Sequence, residues 1–315
     1  IEGAMETAKT VHVWRNVDNY NLKKTSEENM DMKTSLGKKT AAGSLIFCAM
    51  LLGAAAPAMA EKIGNCEVTG TKGSDPIKPV VAGQLTVQTT LPAPAWWNGD
   101  SPDAMKDGYE YCMALDMAYR AGLDKVKVVN VSFDALVAAQ TKDFDIALAE
   151  VSITEKRKKV VDFSTPYFDS DIGVAIKKGT KYSAETVKDM RLGVMQGTTG
   201  ANFVDQKLKP KEVKVFSDTG VLSTALMSNQ IDAALHDTSI MLGVATNSRG
   251  MIEVPYQYST GESYGALYPK GSANEAVFNK MIEDMKKDGT LAALSKKYLA
   301  AAWGADPAQI PYLKP

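Results

Sequence analysis

The sequence predicts an α/β protein built as two lobes. Three features carry that expectation: strand-like and helical patterns alternate from about residue 85 onward, they run through two successive cycles, and two extended segments, 173–176 and 263–268, link the cycles. Alternating strand and helix units give parallel sheets covered by helices on both faces. Two crossings between two cycles then predict two lobes rather than one continuous sheet.

The first cycle opens with a strand at 85–89. A helix follows at 109–121, with Met113, Met117, Ala118 and Ala121 on one face and Gly122 as its stop. A strand at 126–131, a helix at 133–140 and a strand at 145–149 complete this cycle, and the extended run 173–176 closes on Lys178 and Gly179. The second cycle reads strand 192–195, helix 200–208, strand 213–216, helix 220–229 and strand 233–235. After 263–268, a long helix spans 274–287, Gly289 stops it, and a last helix covers 291–298. Residues 61–82, rich in Gly, Lys, Pro and Thr, read as an irregular arm.

The N-terminal sixty residues have a different character. Met32 precedes Lys33, Lys38 and Lys39, an apolar run follows from Ala41 to Leu52, and Ala58-Met59-Ala60 ends it as a small-x-small site. A basic start, a short apolar stretch and Ala-x-Ala in that order describe a secretory signal peptide at 32–60. Gly53 and Pro57 interrupt the run well short of the ~20 apolar residues that a membrane span requires. Residues 1–31 are polar and unpatterned and read as a leader or extension, so the exported chain is expected to begin at Glu61 and to work in the periplasm.

Charge is balanced, with 36 basic and 37 acidic residues. No broad positive field is available for nucleic acid, so the expected partners are a small molecule or another protein. The only histidines are His12 and His236, which excludes a His-rich zinc site. Cys48, Cys66 and Cys112 form no CxxC pair, so no cofactor and no metal are expected. In an oxidising compartment Cys66 and Cys112 either form a disulfide or stay as two thiols.

Residues 145–167, DIALAEVSITEKRKKVVDFSTPY, resemble the signature of the family 3 bacterial periplasmic solute-binding proteins, which serve amino-acid ABC transporters. Four further pieces stand in the family's order: GYE at 108–110, VMQGTT at 194–199, IDAALHD at 231–237, and MKKDGTL at 285–291 with Lys297-Tyr298. The resemblance implies a two-lobed, periplasmic-binding-protein-like type II fold with a discontinuous first lobe, here residues 83–175 and 266–315, and a second lobe at 176–265. It also implies a monomer that closes about a hinge on an amino acid or related zwitterion and is read by the membrane permease of an ABC importer. The expectation is a binding protein and not an enzyme. The alternative on the same scaffold is a cyclohexadienyl dehydratase-like activity, with Glu150 or His236 as general acid.

An α-amino acid presents a carboxylate and an ammonium at fixed separation. Arg157 offers a planar fork for the carboxylate. Taken alone, an Arg in the run Lys156 to Lys159 reads as a solvated charge; its position in the motif matches the family's carboxylate-binding Arg. Gly197, Thr198 and Thr199 stand between a strand and a helix, where backbone N–H groups favour an anion, Thr hydroxyls add donors, and a small Gly197 lets ligand approach. Plain N-capping is the other reading of those threonines. Asp237 ends a strand and matches the acid that receives the ligand ammonium, although an Asp there also reads as a helix cap. Ser152 matches a hydroxyl position near the same groups. For the side-chain pocket, Phe133 is expected to form an aromatic wall and Trp96 part of the cleft mouth. Glu150 occupies a place usually held by Gly or Ser, and a buried carboxylate there demands a partner.

Overall fold

The computed structural model describes residues 61–304 and 306–315. The expected leader and export signal lie outside the described residues. In chain order the strands are β1 (Glu61–Ile63), β2 (Cys66–Val68), β3 (Gln84–Thr89), β4 (Asn98–Gly99), β5 (Met105–Asp107), β6 (Lys125–Asn130), β7 (Ile146–Ala147), β8 (Asp162–Phe163), β9 (Phe168–Lys177), β10 (Arg191–Met195), β11 (Glu212–Phe216), β12 (Ala233–Asp237), β13 (Ile252–Tyr264) and β14 (Leu267–Tyr268). The helices are α1 (Tyr109–Arg120), α2 (Phe133–Val137), α3 (Thr199–Phe203), α4 (Thr219–Met227), α5 (Thr238–Asn247), α6 (Glu275–Lys287), α7 (Thr290–Leu294) and α8 (Ala301–Trp303).

Two five-stranded sheets result, ordered β6-β3-β7-β14-β8 and β11-β10-β12-β9-β13. Each has a parallel core: β3 runs parallel to β6 and β7, and β10 runs parallel to β11 and β12. The crossing segments return antiparallel, β14 against β7 and β8, and β9 against β12 and β13. Both sheets are therefore mixed rather than purely parallel, because each linking strand re-enters its sheet from the opposite end. Strand β3 is covered on both faces, as a central parallel strand must be: Leu85 and Val87 on one face and Thr86 and Gln88 on the other are all buried.

The first crossing sits earlier in sequence than the apolar patterns suggest. All of β9 and β13 hydrogen-bonds within the second sheet, from Phe168 opposite Tyr264 to Lys177 opposite Ile252. The first lobe thus gives way to the second before Phe168 rather than at 175. Polar positions Asp169, Ser170 and Asp171 hid the start of that strand. The extreme C-terminus also leaves the first lobe. Gln257 on β13 pairs with Tyr312, donates its backbone N–H to Pro311 O at 3.0 Å and accepts from Leu313 N–H at 2.9 Å.

The arm at 61–82 is more ordered than its composition suggests. β1 and β2 form an antiparallel hairpin, and a Cys66–Cys112 disulfide fastens it to α1 across a Cα–Cα distance of 5.2 Å. Asp145 then holds the arm to β3, accepting from Val80 N–H at 2.7 Å and Thr86 N–H at 2.8 Å.

Candidate functional site

The two lobes face each other at the C-terminal ends of their parallel strands, where open α/β sheets place ligands. Arg157 enters from the first lobe, in the turn between β7 and β8. It is buried, donates from Nη1 to Ser152 O at 2.6 Å, and reaches across to Gly197 O of the second lobe with Nη2 at 2.9 Å. The Phe133 ring lies under its guanidinium, with the carbon 5.2 Å from the ring centroid. Burial lowers the Arg157 pKa, and the charges of Asp237 and Glu262 oppose that shift. Arg157 is therefore a desolvated cation facing acids, not a solvated one.

Gly197 has φ +78°, and a Cβ there would lie 3.1 Å from Asp134 Cα. Its small size makes room for the other lobe's backbone, not only for a ligand as expected, and it is the Gly197 carbonyl that Arg157 meets. Beside it, Gln196 Nε2 donates to Asp134 Oδ2 at 2.8 Å, again from one lobe to the other.

The threonines divide their roles. Thr198 is buried and caps α3: its hydroxyl accepts from Ala201 N–H at 3.0 Å and donates to Met195 O at 2.8 Å. The hydroxyl proton that was expected for ligand therefore goes to the Met195 carbonyl, and a lone pair of the same oxygen serves the cap. Thr199 and Ser152 instead turn their hydroxyls toward Glu262, whose carboxyl is pushed up by burial and by Asp237 and drawn down by those hydroxyls and by Arg157.

Asp237 enters from the second lobe at the end of β12. It occupies the N-cap position of α5 yet makes no side-chain cap bond. Its Oδ1 lies 3.2 Å from His236 Nδ1, and its charge is felt at Arg157, Glu150, Glu262 and Tyr264. His236 Nδ1 accepts the Asp237 N–H at 2.7 Å, and its Nε2 is buried without a protein partner.

Glu150 is buried with φ +48°. Glu110 positions it, accepting the Glu150 N–H on Oε1 at 3.0 Å. Glu110 is itself fixed by Trp97 Nε1 on Oε2 at 2.7 Å and by the Tyr167 hydroxyl on Oε1. Burial drives both carboxyls upward, Glu150 the further, with the Glu110 and Asp237 charges adding to it.

Trp96 departs from its expected place. It is fully buried in an aromatic cluster, 5.1 Å from Tyr109, 5.0 Å from Phe168 and 5.6 Å from Tyr264 between ring centroids. It supports the cleft from behind rather than lining its mouth, because the turn 92–97 folds its indole inward. The same turn borders a cavity of about 120 Å³ lined by Pro92, Pro94, Thr219, Gly220 and Val244 among others; no charged side chain lines it, so it does not suit a zwitterion.

Sequence reasoning missed Glu110, Tyr167, Glu262 and Tyr264. Glu110 reads as an ordinary acid in a helix's first turn, and Glu262 sits in the polar stretch Ser259 to Ser263, which has no pattern to betray it.

Two α/β lobes joined by paired strands, with an Arg from one and an Asp from the other buried at one cleft, define a solute-binding protein. Residues 87–301 match the bacterial extracellular solute-binding proteins, family 3, and the chain belongs to that family. It is 30% identical over 214 residues to the L-cystine-binding protein TcyJ of Escherichia coli strain K12, covering 66% of this chain and 79% of that one. The ABC transporter glutamine-binding protein GlnH of Bacillus subtilis is 33% identical over 163 residues, 51% of this chain and 59% of that relative. Among solved structures, an ancestral arginine-binding protein bound to arginine superposes with a TM-score of 0.62 at 30% identity, over 69% of this chain and 98% of that one.

Proposed function

We propose that this protein captures an amino-acid zwitterion between its lobes in the periplasm and presents it, as a monomer, to the membrane permease of an ABC importer. The observation that carries the reading is the pairing of Arg157 and Asp237. They come from opposite lobes, both are buried, and Asp237 stands at a cap position without capping. Arg157 takes the carboxylate with a bidentate fork and Asp237 takes the ammonium, beside the Thr199 and Ser152 hydroxyls that hold Glu262. Ligand touching both walls binds the closed arrangement better than an open one, so binding drives closure, and the permease reads the closed shape. Export by the segment at 32–60 and the family's extracellular setting support the location.

The reading is of a binder, not a catalyst. A thermal-shift panel of L-amino acids, followed by calorimetry on the hits, tests it. A micromolar or tighter ligand that Arg157→Ala and Asp237→Asn each weaken at least about 100-fold is expected. A panel without a hit, together with turnover of arogenate or prephenate, overturns it.

A further inference from the structure

Glu262 is the first residue after an irregularity in β13. That strand pairs with β9 up to Tyr258, loses register, and resumes with Glu262 opposite Ser170. Asp171 Oδ1 holds the irregular turn, accepting the Thr260 N–H at 2.8 Å and the Gly261 N–H at 3.4 Å, and Gly261 stands at φ +63°. A bulge of this kind re-aims the side chain beside it. The end of β13 then runs along the first-lobe segment that carries the head-group donors: Ser152 pairs with Tyr264, and the Ile153 N–H donates to Ser263 O at 2.9 Å. Alternate residues of a strand share a face. Glu262 therefore lies on the face of Tyr264, whose hydroxyl meets Ser239 Oγ at 2.9 Å and bonds to Asp237.

The groups around the Glu262 carboxyl are those expected to hold a ligand's head group. The Ser152 hydroxyl of the first lobe and the Thr199 hydroxyl of the second both donate to it. The Arg157 charge draws the carboxyl downward, and the Glu262 charge in turn draws the guanidinium upward. One acid of the chain thus joins both walls of the cleft and lies in the field of the desolvated Arg157. Glu262 itself is half-buried, and Ser259 and Gly261 of the adjoining bulge are exposed.

We propose that Glu262 is an internal competitor: its carboxylate occupies the ligand-carboxylate subsite between the lobes, and an incoming amino acid binds by displacing it. This rests on the zwitterion-binding reading above and adds what that ligand must remove. The same contact keeps an acid against Arg157 when the lobes close without ligand, where a lone buried guanidinium would oppose closure. The displaced carboxyl turns outward beside the exposed bulge, whose glycine adapts its backbone without a Cβ to obstruct it.

A tethered carboxyl competes at an effective concentration in the millimolar range. Apparent affinity falls in proportion to the fraction of molecules whose subsite is open, so a subsite taken about nine-tenths of the time weakens binding about tenfold. Removing the Glu262 carboxyl therefore strengthens binding, which is the opposite of what loss of a ligand contact does.

The test compares wild type with Glu262→Ala and Glu262→Gln. Each standard L-amino acid and L-cystine is screened by thermal shift, and the hits are measured by calorimetry. Glu262→Ala is expected to bind them about tenfold more tightly than wild type. Glu262→Gln, which keeps an acceptor for the hydroxyls but loses the attraction to Arg157, should gain about two- to fivefold. Without amino acid, small-angle scattering should give Glu262→Ala a larger radius of gyration than wild type, and a saturating hit should remove the difference. Acetate, a free carboxylate for the same subsite, should raise the melting temperature of Glu262→Ala by about 2–4 °C and leave wild type unmoved. Unchanged or weaker amino-acid binding by both folded variants overturns the proposal while the zwitterion reading stands, and so does an acetate shift equal in all three proteins. If no amino acid binds wild type or either variant, the zwitterion reading falls, and the acetate comparison alone decides whether Glu262 fills an anion subsite.

Discussion

Arg157 donates to a carbonyl in each lobe, Ser152 O and Gly197 O, so this one side chain clasps the lobes together besides its proposed role as ligand donor. Lysine at this position keeps the charge but has no fork to serve two carbonyls and a carboxylate together. Arg157→Lys is expected to lose at least about tenfold in affinity by calorimetry, and wild-type affinity in the Lys variant counts against the bidentate role. Gly197 is the second sensitive position. Its φ of +78° strains any side chain, and a Cβ there would sit 3.1 Å from Asp134 Cα, close enough that the neighbour must give way. Gly197→Ala should cost about 1–2 kcal/mol in chemical denaturation and weaken binding, through strain and a pushed-apart lobe contact.

The buried carboxyls also set how stability follows pH. Glu110 and Glu150 have raised values in the folded protein, so the fold keeps protons that the unfolded chain surrenders above about pH 4.3. Their contribution is complete below that point and is lost as pH climbs through the folded-state values. Acids with lowered values, such as Asp162 and Asp232, act in the opposite sense: their contribution is present above the unfolded pKa and disappears only on stronger acidification. The ligand-free protein should therefore melt at a lower temperature at pH 8 than at pH 5. Glu150→Gln should flatten that slope, and parallel profiles for the two proteins in scanning fluorimetry would contradict this account.

At the scale of elements, β9 and β13 carry the connection between lobes, and the C-terminal segment adds a third crossing. From α8, where Ala302 O accepts from Thr246 Oγ1 at 2.7 Å, the chain continues along β13. Gln257 anchors it: Nε2 donates to Pro307 O at 2.8 Å and to Ile310 O at 3.0 Å, while Oε1 accepts from Thr238 Oγ1 at 3.0 Å. Gln257→Ala strands these partners in a buried place and should cost about 2–3 kcal/mol in urea unfolding. A loss under half a kcal/mol would mean that the strap carries no load. The Cys66–Cys112 bond closes a sequence separation of 46 residues and ties the β1–β2 hairpin to α1. Replacing both cysteines by serine should remove about 3–4 kcal/mol, read by the same denaturation.

At the scale of the molecule, one apolar cluster runs from lobe to lobe, joining Phe133, Leu136, Ala149 and Val151 of the first to Met195, Leu222, Ala234 and Met241 of the second. Opening the cleft would expose part of that surface, which favours closure. Saturating ligand should raise the melting temperature by mass action, and small-angle scattering should show no expansion on binding. An increase in radius of gyration with a tight ligand would refute hinge closure.

The sequence alone determined the alternation that makes two α/β lobes, because periodicity is written locally, and the resemblance of its ordered motifs to the family singled out Arg157, Asp237, Thr199 and Ser152 as proposed ligand-binding residues. It also located Glu150 and the need for a partner there, without saying which. Tertiary structure decided the rest. Whether Trp96 faced ligand or core, whether Thr198 donated or capped, and where the chain crossed between lobes all depended on neighbours distant in sequence. So did the Cys66–Cys112 bond and the hold of Glu110 on residue 150, forty positions away. A side chain's charge state and free bonds are properties of its surroundings, and those surroundings exist only once the chain has folded.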